Sequence, residues 1–174
     1  PDGRRIAFHN MASPGGVLTV PSFSGVLANP TQLSSRGIPS SWSPDGSKVL
    51  FSKWNGVSVD IYVVGLDGSA LTQLTNRPSS NENYPDWSPD GKKIVFDSSI
   101  SGNSGEAEIY VMDADGSNVK RLTDNGYNDL DPVWSPDSSK IAFASDRDGN
   151  MEIYVMDADG SNPVNLTNHP ADDH

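Results

Sequence analysis

The chain has no cysteine, which excludes disulfides and thiolate-held zinc. It has no apolar run of the roughly 18 residues that a membrane-spanning helix needs,. Positive charge is scarce: 12 Lys and Arg stand against 23 Asp and Glu, a formal net charge of −11. A surface of that sign repels phosphate backbones, so nucleic acid is excluded as the expected partner. Histidine is limited to His9, His169 and His174, none in a motif with a serine or carboxylate partner. The Gly-x-Ser-x-Gly elbow of the hydrolases is also missing,, so no catalytic residue is expected within this segment. No secretory leader is visible, and an opening Pro1 in place of Met reads as a trimmed terminus,.

Turn formers are plentiful. Glycine and proline together supply 29 of 174 residues, which fits many short strands better than long helices. The string Trp-Ser-Pro-Asp occurs at Trp42–Asp45, Trp87–Asp90 and Trp134–Asp137, and Pro1-Asp2-Gly3 matches the tail of a fourth copy. The aspartates at 2, 45, 90 and 137 are 43 to 47 residues apart, the size of a four-stranded propeller blade. A second motif recurs in phase, as DIYVVGLDGSALTQLT from Asp60, EIYVMDADGSNVKRLT from Glu108 and EIYVMDADGSNPVNLT from Glu152. The first repeat keeps only a worn version that ends in Pro30–Ser34.

Each repeat reads as four strands, and the last shows them most clearly. Asp131–Ser135 carries the Trp, and Pro-Asp turns the chain because proline presets φ,. Lys140–Ser145 alternates Ile141 and Phe143 against Ala142 and Ala144,. Asp146–Asn150 makes the next turn, and Glu152–Asp157 alternates Ile153 and Val155 against Tyr154 and Met156,. Asp159-Gly160 is a hairpin signal, and Pro163–Thr167 suits an edge strand that needs no full ladder of donors,. A single such sheet has two apolar faces and cannot bury them alone; stacking the sheets around an axis buries both. The expected fold is therefore all-β, a β-propeller of four-stranded antiparallel blades. Its repeats are placed at about 1–35, 36–80, 81–127 and 128–174 of one segment,. Trp42, Trp87 and Trp134, with Tyr62, Tyr110 and Tyr154, are assigned to the core between blades.

These WSPDG and EIYVMDADGSN…LT repeats resemble those of the TolB-type propellers, over roughly residues 36–174. The resemblance implies a six-bladed ring in the bacterial periplasm or secreted space, working as a non-catalytic scaffold for a protein or peptide partner. In that family the propeller holds a peptidoglycan-associated lipoprotein. The repeats are also similar to the regulatory propellers of prolyl-oligopeptidase-like serine peptidases and to cation- or sugar-binding propellers, which are the alternative readings. Six blades at this period need about 270 residues, so the chain is expected to be part of a longer ring. Self-association of two copies and a strained four-bladed closure are the other ways to satisfy the exposed edges.

Two loop sets invite a functional reading. Asp146–Glu152 superficially resembles a calcium loop, but Gly149 comes too early for the D-x-[DN]-x-[DN]-G pattern, and a hairpin with aspartates bonding turn amides is expected instead,. The loops that enter the Trp strands carry Glu82, Asn83 and Tyr84, Asp129 and Asp131, and Asp172 and Asp173. In a propeller such loops converge near one mouth of the channel. These seven residues are the candidate partner-binding rim. No cofactor is expected; Ca2+ is the cation such a rim would suit, with Asp129 and Asp131 as its candidate ligands. Asn165-Leu166-Thr167 is a formal glycosylation sequon that here falls on the fourth strand,.

Overall fold

A computed structural model describes residues 5–10, 16–21, 30–100 and 106–173. The Pro1-Asp2-Gly3 turn and His174 lie outside the described residues. The described residues form fifteen strands in four antiparallel sheets. Blade 1 holds β1 (Arg5–Asn10), β2 (Gly16–Pro21) and β3 (Thr31–Ser34). Blade 2 holds β4 (Ile38–Trp42), β5 (Lys48–Trp54), β6 (Val59–Gly65) and β7 (Thr72–Gln73). Blade 3 holds β8 (Ser80–Trp87), β9 (Lys93–Ile100), β10 (Ala107–Asp113) and β11 (Lys120–Arg121). Blade 4 holds β12 (Asp129–Trp134), β13 (Lys140–Ser145), β14 (Glu152–Asp157) and β15 (Val164–Asn165). Strands follow chain order across each sheet. The first strands of adjoining blades lie side by side, so the sheets fan out from an inner edge formed by β4, β8 and β12.

Local chemistry explains both repeating motifs. In Ser-Pro-Asp-Gly, the Ser43 hydroxyl donates to Asp45 Oδ1 at 2.6 Å and accepts the Lys48 N–H at 2.9 Å. Asp45 Oδ1 also accepts the Ser47 N–H at 3.0 Å. The same lock recurs at Ser88 with Asp90 and at Ser135 with Asp137. Hydrogen bonds from Ser43 and Ser47 hold the Asp45 carboxyl down at about 2, and those from Ser135 and Ser139 do the same for Asp137. In the second motif, the threonine after the fourth strand accepts the N–H of the isoleucine on the third: Thr75 from Ile61 and Thr123 from Ile109 at 2.9 Å, Thr167 from Ile153 at 3.0 Å. The acid just before that isoleucine is buried and accepts the backbone N–H two residues past the threonine. Asp60 takes Arg77 at 3.4 Å, Glu108 takes Asn125 at 2.8 Å and Glu152 takes His169 at 2.9 Å. This pinning explains how a fourth strand of only two residues holds its place. In blade 4 it is shorter than the Pro163–Thr167 expected, because past Asn165 the N–H groups of Thr167 and Asn168 turn to the Asn165 side chain instead of a ladder.

The core lies between blades. Val17 and Leu33 of blade 1 meet Val49, Phe51, Tyr62 and Val64 of blade 2, with Trp42 packed against them. Equivalent clusters join blade 2 to blade 3 with Trp87 at the margin, and blade 3 to blade 4 with Trp134. The three Trp rings are thus half-buried at the joints. Phe51, Phe96 and Phe143 stack on Tyr62, Tyr110 and Tyr154 with centroids 5.7–5.8 Å apart. Alternation of burial along the third strand shows in β14 but not in β6 or β10, whose two faces are both covered by neighbouring blades,.

Hairpin turns need the left-handed backbone at the residue after Asp-Gly-Ser. Asn118 and Asn162 occupy it at φ 54°, each bonding an aspartate, while Ala70 sits there at φ 53° with no such compensation. Ala70→Gly is expected to raise the unfolding free energy by about 0.5–1 kcal/mol. Urea denaturation measures it, and an unchanged or lower midpoint would show that Ala70 carries no strain.

Candidate functional site

In blades 2, 3 and 4 the first strand breaks its register just before the Trp, between Pro39 and Ser41, Asn83 and Asp86, and Leu130 and Val133. A bulge re-aims the side chains beside it. Tyr84 and Asp131 take the extra residue at φ 46° and 52°, a strained conformation for residues with a Cβ,. The three bulges line up on the inner edge and enclose a groove of about 410 Å3. It is walled by Ile38, Pro39 and Ser40, by Tyr84, Pro85 and Asp86, and by Asp131, Pro132 and Val133. Ile38, Tyr84 and Val133 stand more than half exposed in it.

Hydrogen bonds fix the groove to the fold. Asp86 accepts the Ser41 hydroxyl at 2.9 Å with one oxygen and the Trp134 N–H at 2.9 Å with the other. Ser41 in turn accepts the Trp87 N–H at 3.2 Å. Ser41 and Asp86, the residues before Trp42 and Trp87, therefore receive the N–H of the next blade's Trp, which ties blades 2, 3 and 4 at their inner edge. Behind the groove, Asp97 accepts the Asp131 N–H at 3.3 Å and is almost wholly buried. Burial pushes its carboxyl up to about 7, against the Asp131 N–H and with help from the Asp131 charge.

The seven residues of the expected rim separate into three groups. Tyr84 and Asp131 line the groove, and Asn83 is half-buried on β8, opposite Asp97 across the ladder. Glu82 and Asp129 sit inside their blades instead, both 0% exposed. Glu82 accepts Ser80 and Ser98 hydroxyls at 2.5 and 3.3 Å. Asp129 is paired with Arg147 and bonded to Ser145 and Asn125. Both Asp129 oxygens are thus engaged by Ser145, Arg147 and Asn125. Among the described residues, no three His, Cys, Asp or Glu gather to hold a metal ion. Asp172 accepts the Met151 N–H at 2.9 Å, as Asn81 accepts that of Val59 at 2.9 Å and Asn128 that of Ala107 at 3.4 Å. Asp172 thus clamps blade 4, and Asp173 donates its N–H to the Met151 carbonyl at 2.7 Å. The Asp146–Glu152 segment is a hairpin: Asp146 bonds Asn128, and Asp148 accepts Tyr154 and Asn165. Asn165 of the sequon is engaged in that contact.

Sequence reasoning missed Asp86, Asp97, Ile38 and Val133. The signal for Asp86 was its place directly before a Trp; nothing in the linear pattern sets Asp97 beside another blade's bulge.

Comparison with known proteins places this geometry. The family description "TolB beta propeller domain" matches residues 1–104 and 101–172. An uncharacterized protein of Agrobacterium fabrum is 33% identical over 150 residues, 83% of this chain and 48% of that protein. The Tol-Pal system protein TolB of Bordetella pertussis is 37% identical over 113 residues, 64% of this chain and 25% of that protein. The chain therefore spans half or less of the length of these relatives. The solved structure of a putative TolB from Agrobacterium tumefaciens superimposes with a TM-score of 0.83 at 29% identity, covering 95% of this chain and 61% of that one. Blades, motifs and matches agree, and the chain belongs to the TolB β-propeller domain family.

Proposed function

We propose that the chain is a non-catalytic protein-interaction module of the bacterial envelope or secreted space, docking an extended partner segment in the inner-edge groove. One observation carries this reading: three apolar side chains, Ile38, Tyr84 and Val133, stand exposed side by side on braced backbone, with Asp131 among them. Braced aromatic and aliphatic anchors in a groove are what partner hot spots are made of, and the net charge of −11 favours a basic partner,. The similarity to TolB proteins supports a protein partner and a periplasmic setting.

A photo-crosslinking residue at position 133, against a control at Val119 on the outer side of blade 3, tests it in extracts of the parent bacterium. A single protein adduct is expected from 133 alone, and Tyr84→Ala should weaken that partner about tenfold or more. Equal labelling from both positions would remove the groove from consideration. Covalent labelling of the chain by a fluorophosphonate would make it a serine hydrolase instead.

A further inference from the structure

Blades 3 and 4 meet one packing problem in two ways. Five residues before its Trp, each carries a fully buried acid, Glu82 and Asp129. A serine opposite on the second strand donates to it: Ser98 to Glu82 at 3.3 Å and Ser145 to Asp129 at 2.6 Å. In blade 4 the chain then supplies its own cation. Arg147, two residues past Ser145, donates to both Asp129 oxygens at 2.9 and 3.0 Å and lies 4.4 Å from the Tyr154 ring centroid.

Among the described residues, no cation bonds the buried acid of blade 3. Two residues past Ser98 stands Ile100, 62% exposed. Glu82 Oε2 is left buried without a hydrogen-bond partner, and so is Oε2 of Glu108, a residue only 4% exposed. Beside Glu108 opens a pocket of about 300 Å3 whose walls include Glu106, Tyr110 and the two serines that bond Glu82, Ser80 and Ser98; Glu82 lies behind those serines and does not itself line it. Two arginines also border it. Arg121 is committed to Glu108 Oε1 at 2.6 Å and Asp124 at 2.9 Å. Arg77 stands over the Tyr110 ring at 5.3 Å, and its charge and the Thr75 hydroxyl act on the Glu82 carboxyl without closing an ion pair.

We propose that this pocket receives a guanidinium from outside the chain, the side chain of an arginine on a protein partner, in the role that Arg147 plays in blade 4. The guanidinium fork matches carboxylate oxygens; it would give Glu108 Oε2, in the pocket wall, the donor it lacks and bring a positive charge up to Glu82 behind Ser80 and Ser98. Unpartnered buried carboxylate oxygens are costly, so a guest that satisfies them binds with their desolvation already spent. The volume is at the low end for ligand cavities and suits one side chain,. Burial and the Asp60 charge raise the Glu82 carboxyl above its ordinary value, against the Ser80 and Thr75 hydroxyls and the Arg77 charge, so binding should strengthen as pH rises. The inference rests on the partner-binding reading for the origin of the arginine, but its test needs no partner.

The probe is L-argininamide, titrated by NMR against the whole chain, with norleucinamide as control. Saturable binding is expected for argininamide alone, about tenfold or more weaker in Glu82→Gln. Ile100→Arg should abolish it and raise the melting temperature, because it plants the blade 4 guanidinium in blade 3. Ile100 is exposed, so that variant decides the matter even if Glu82→Gln fails to fold. No saturable binding, equal binding of norleucinamide, or binding unchanged by Ile100→Arg would overturn the proposal. Any of these would leave the groove and its crosslinking test untouched.

Discussion

Arg147→Met is expected to lower the unfolding free energy by about 3–5 kcal/mol, the usual cost of stripping the partner from a buried charge. Asp129 is fully buried, and Arg147 is its only cationic partner among the described residues. The same guanidinium covers the rings of Tyr154 at 4.4 Å and Phe143 at 5.5 Å, so packing is lost as well as charge,. Lys140→Met is the control. It breaks the 2.8 Å pair with Asp157 at the surface and should cost under about 1 kcal/mol,. Asp129→Leu combined with Arg147→Met removes both charges and should recover most of the loss, since an apolar pair can replace a buried ion pair. Urea denaturation of the three variants measures this. If Arg147→Met and Lys140→Met lose the same amount, the buried pair is not an anchor of blade 4.

The second large effect is on pH. The Asp97 carboxyl sits at about 7 in the fold against an ordinary 3.8. Burial is the main cause, the nearby Asp131 charge adds to it, and hydrogen bonds from the Asp131 N–H and from Asn83 oppose it. The folded state therefore keeps a proton that the unfolded chain has lost. Stability from this group is complete below about pH 4, falls as pH rises, and is gone above about pH 7. Three units correspond to ~4 kcal/mol at most. Glu82, also raised by burial, acts in the same direction. Surface aspartates act oppositely: Asp45 and Asp137, held at about 2, support the fold above pH 4 and lose that support as pH falls toward 2. A stability maximum in mildly acid solution follows. Asp97→Asn should stabilise the protein by a few kcal/mol at pH 8 and change little at pH 4, flattening the neutral limb. Melting curves from pH 4 to 8 test it, and an unchanged neutral limb in Asp97→Asn would show that Asp97 does not govern it.

Much of the fold was legible because its causes are local. Lys140–Ser145 and Glu152–Asp157 have the bounds that alternation and turn residues indicate. Pro-Asp-Gly and Asp-Gly-Ser make their turns through side chains two residues apart, and interactions at that range are written in the sequence. The site was less legible. Glu82 and Asp129 have the look of surface acids at a strand entrance, and only the serines across the ladder show that they point inward. Tyr84 and Asp131 gave no sign of their left-handed backbone, which the bulges of β8 and β12 impose.

The sequence by itself determined the repeat, the strands, the turns and the inter-blade placing of the aromatic residues, since a period of 43 to 47 residues with two apolar faces per sheet allows one kind of stacking,. Tertiary structure alone decided which acids are buried, which carry cations and which face the groove. Those outcomes depend on what a neighbouring blade brings within about 3 Å of a carboxylate, and residues some 45 positions apart in the chain meet only once the blades are stacked.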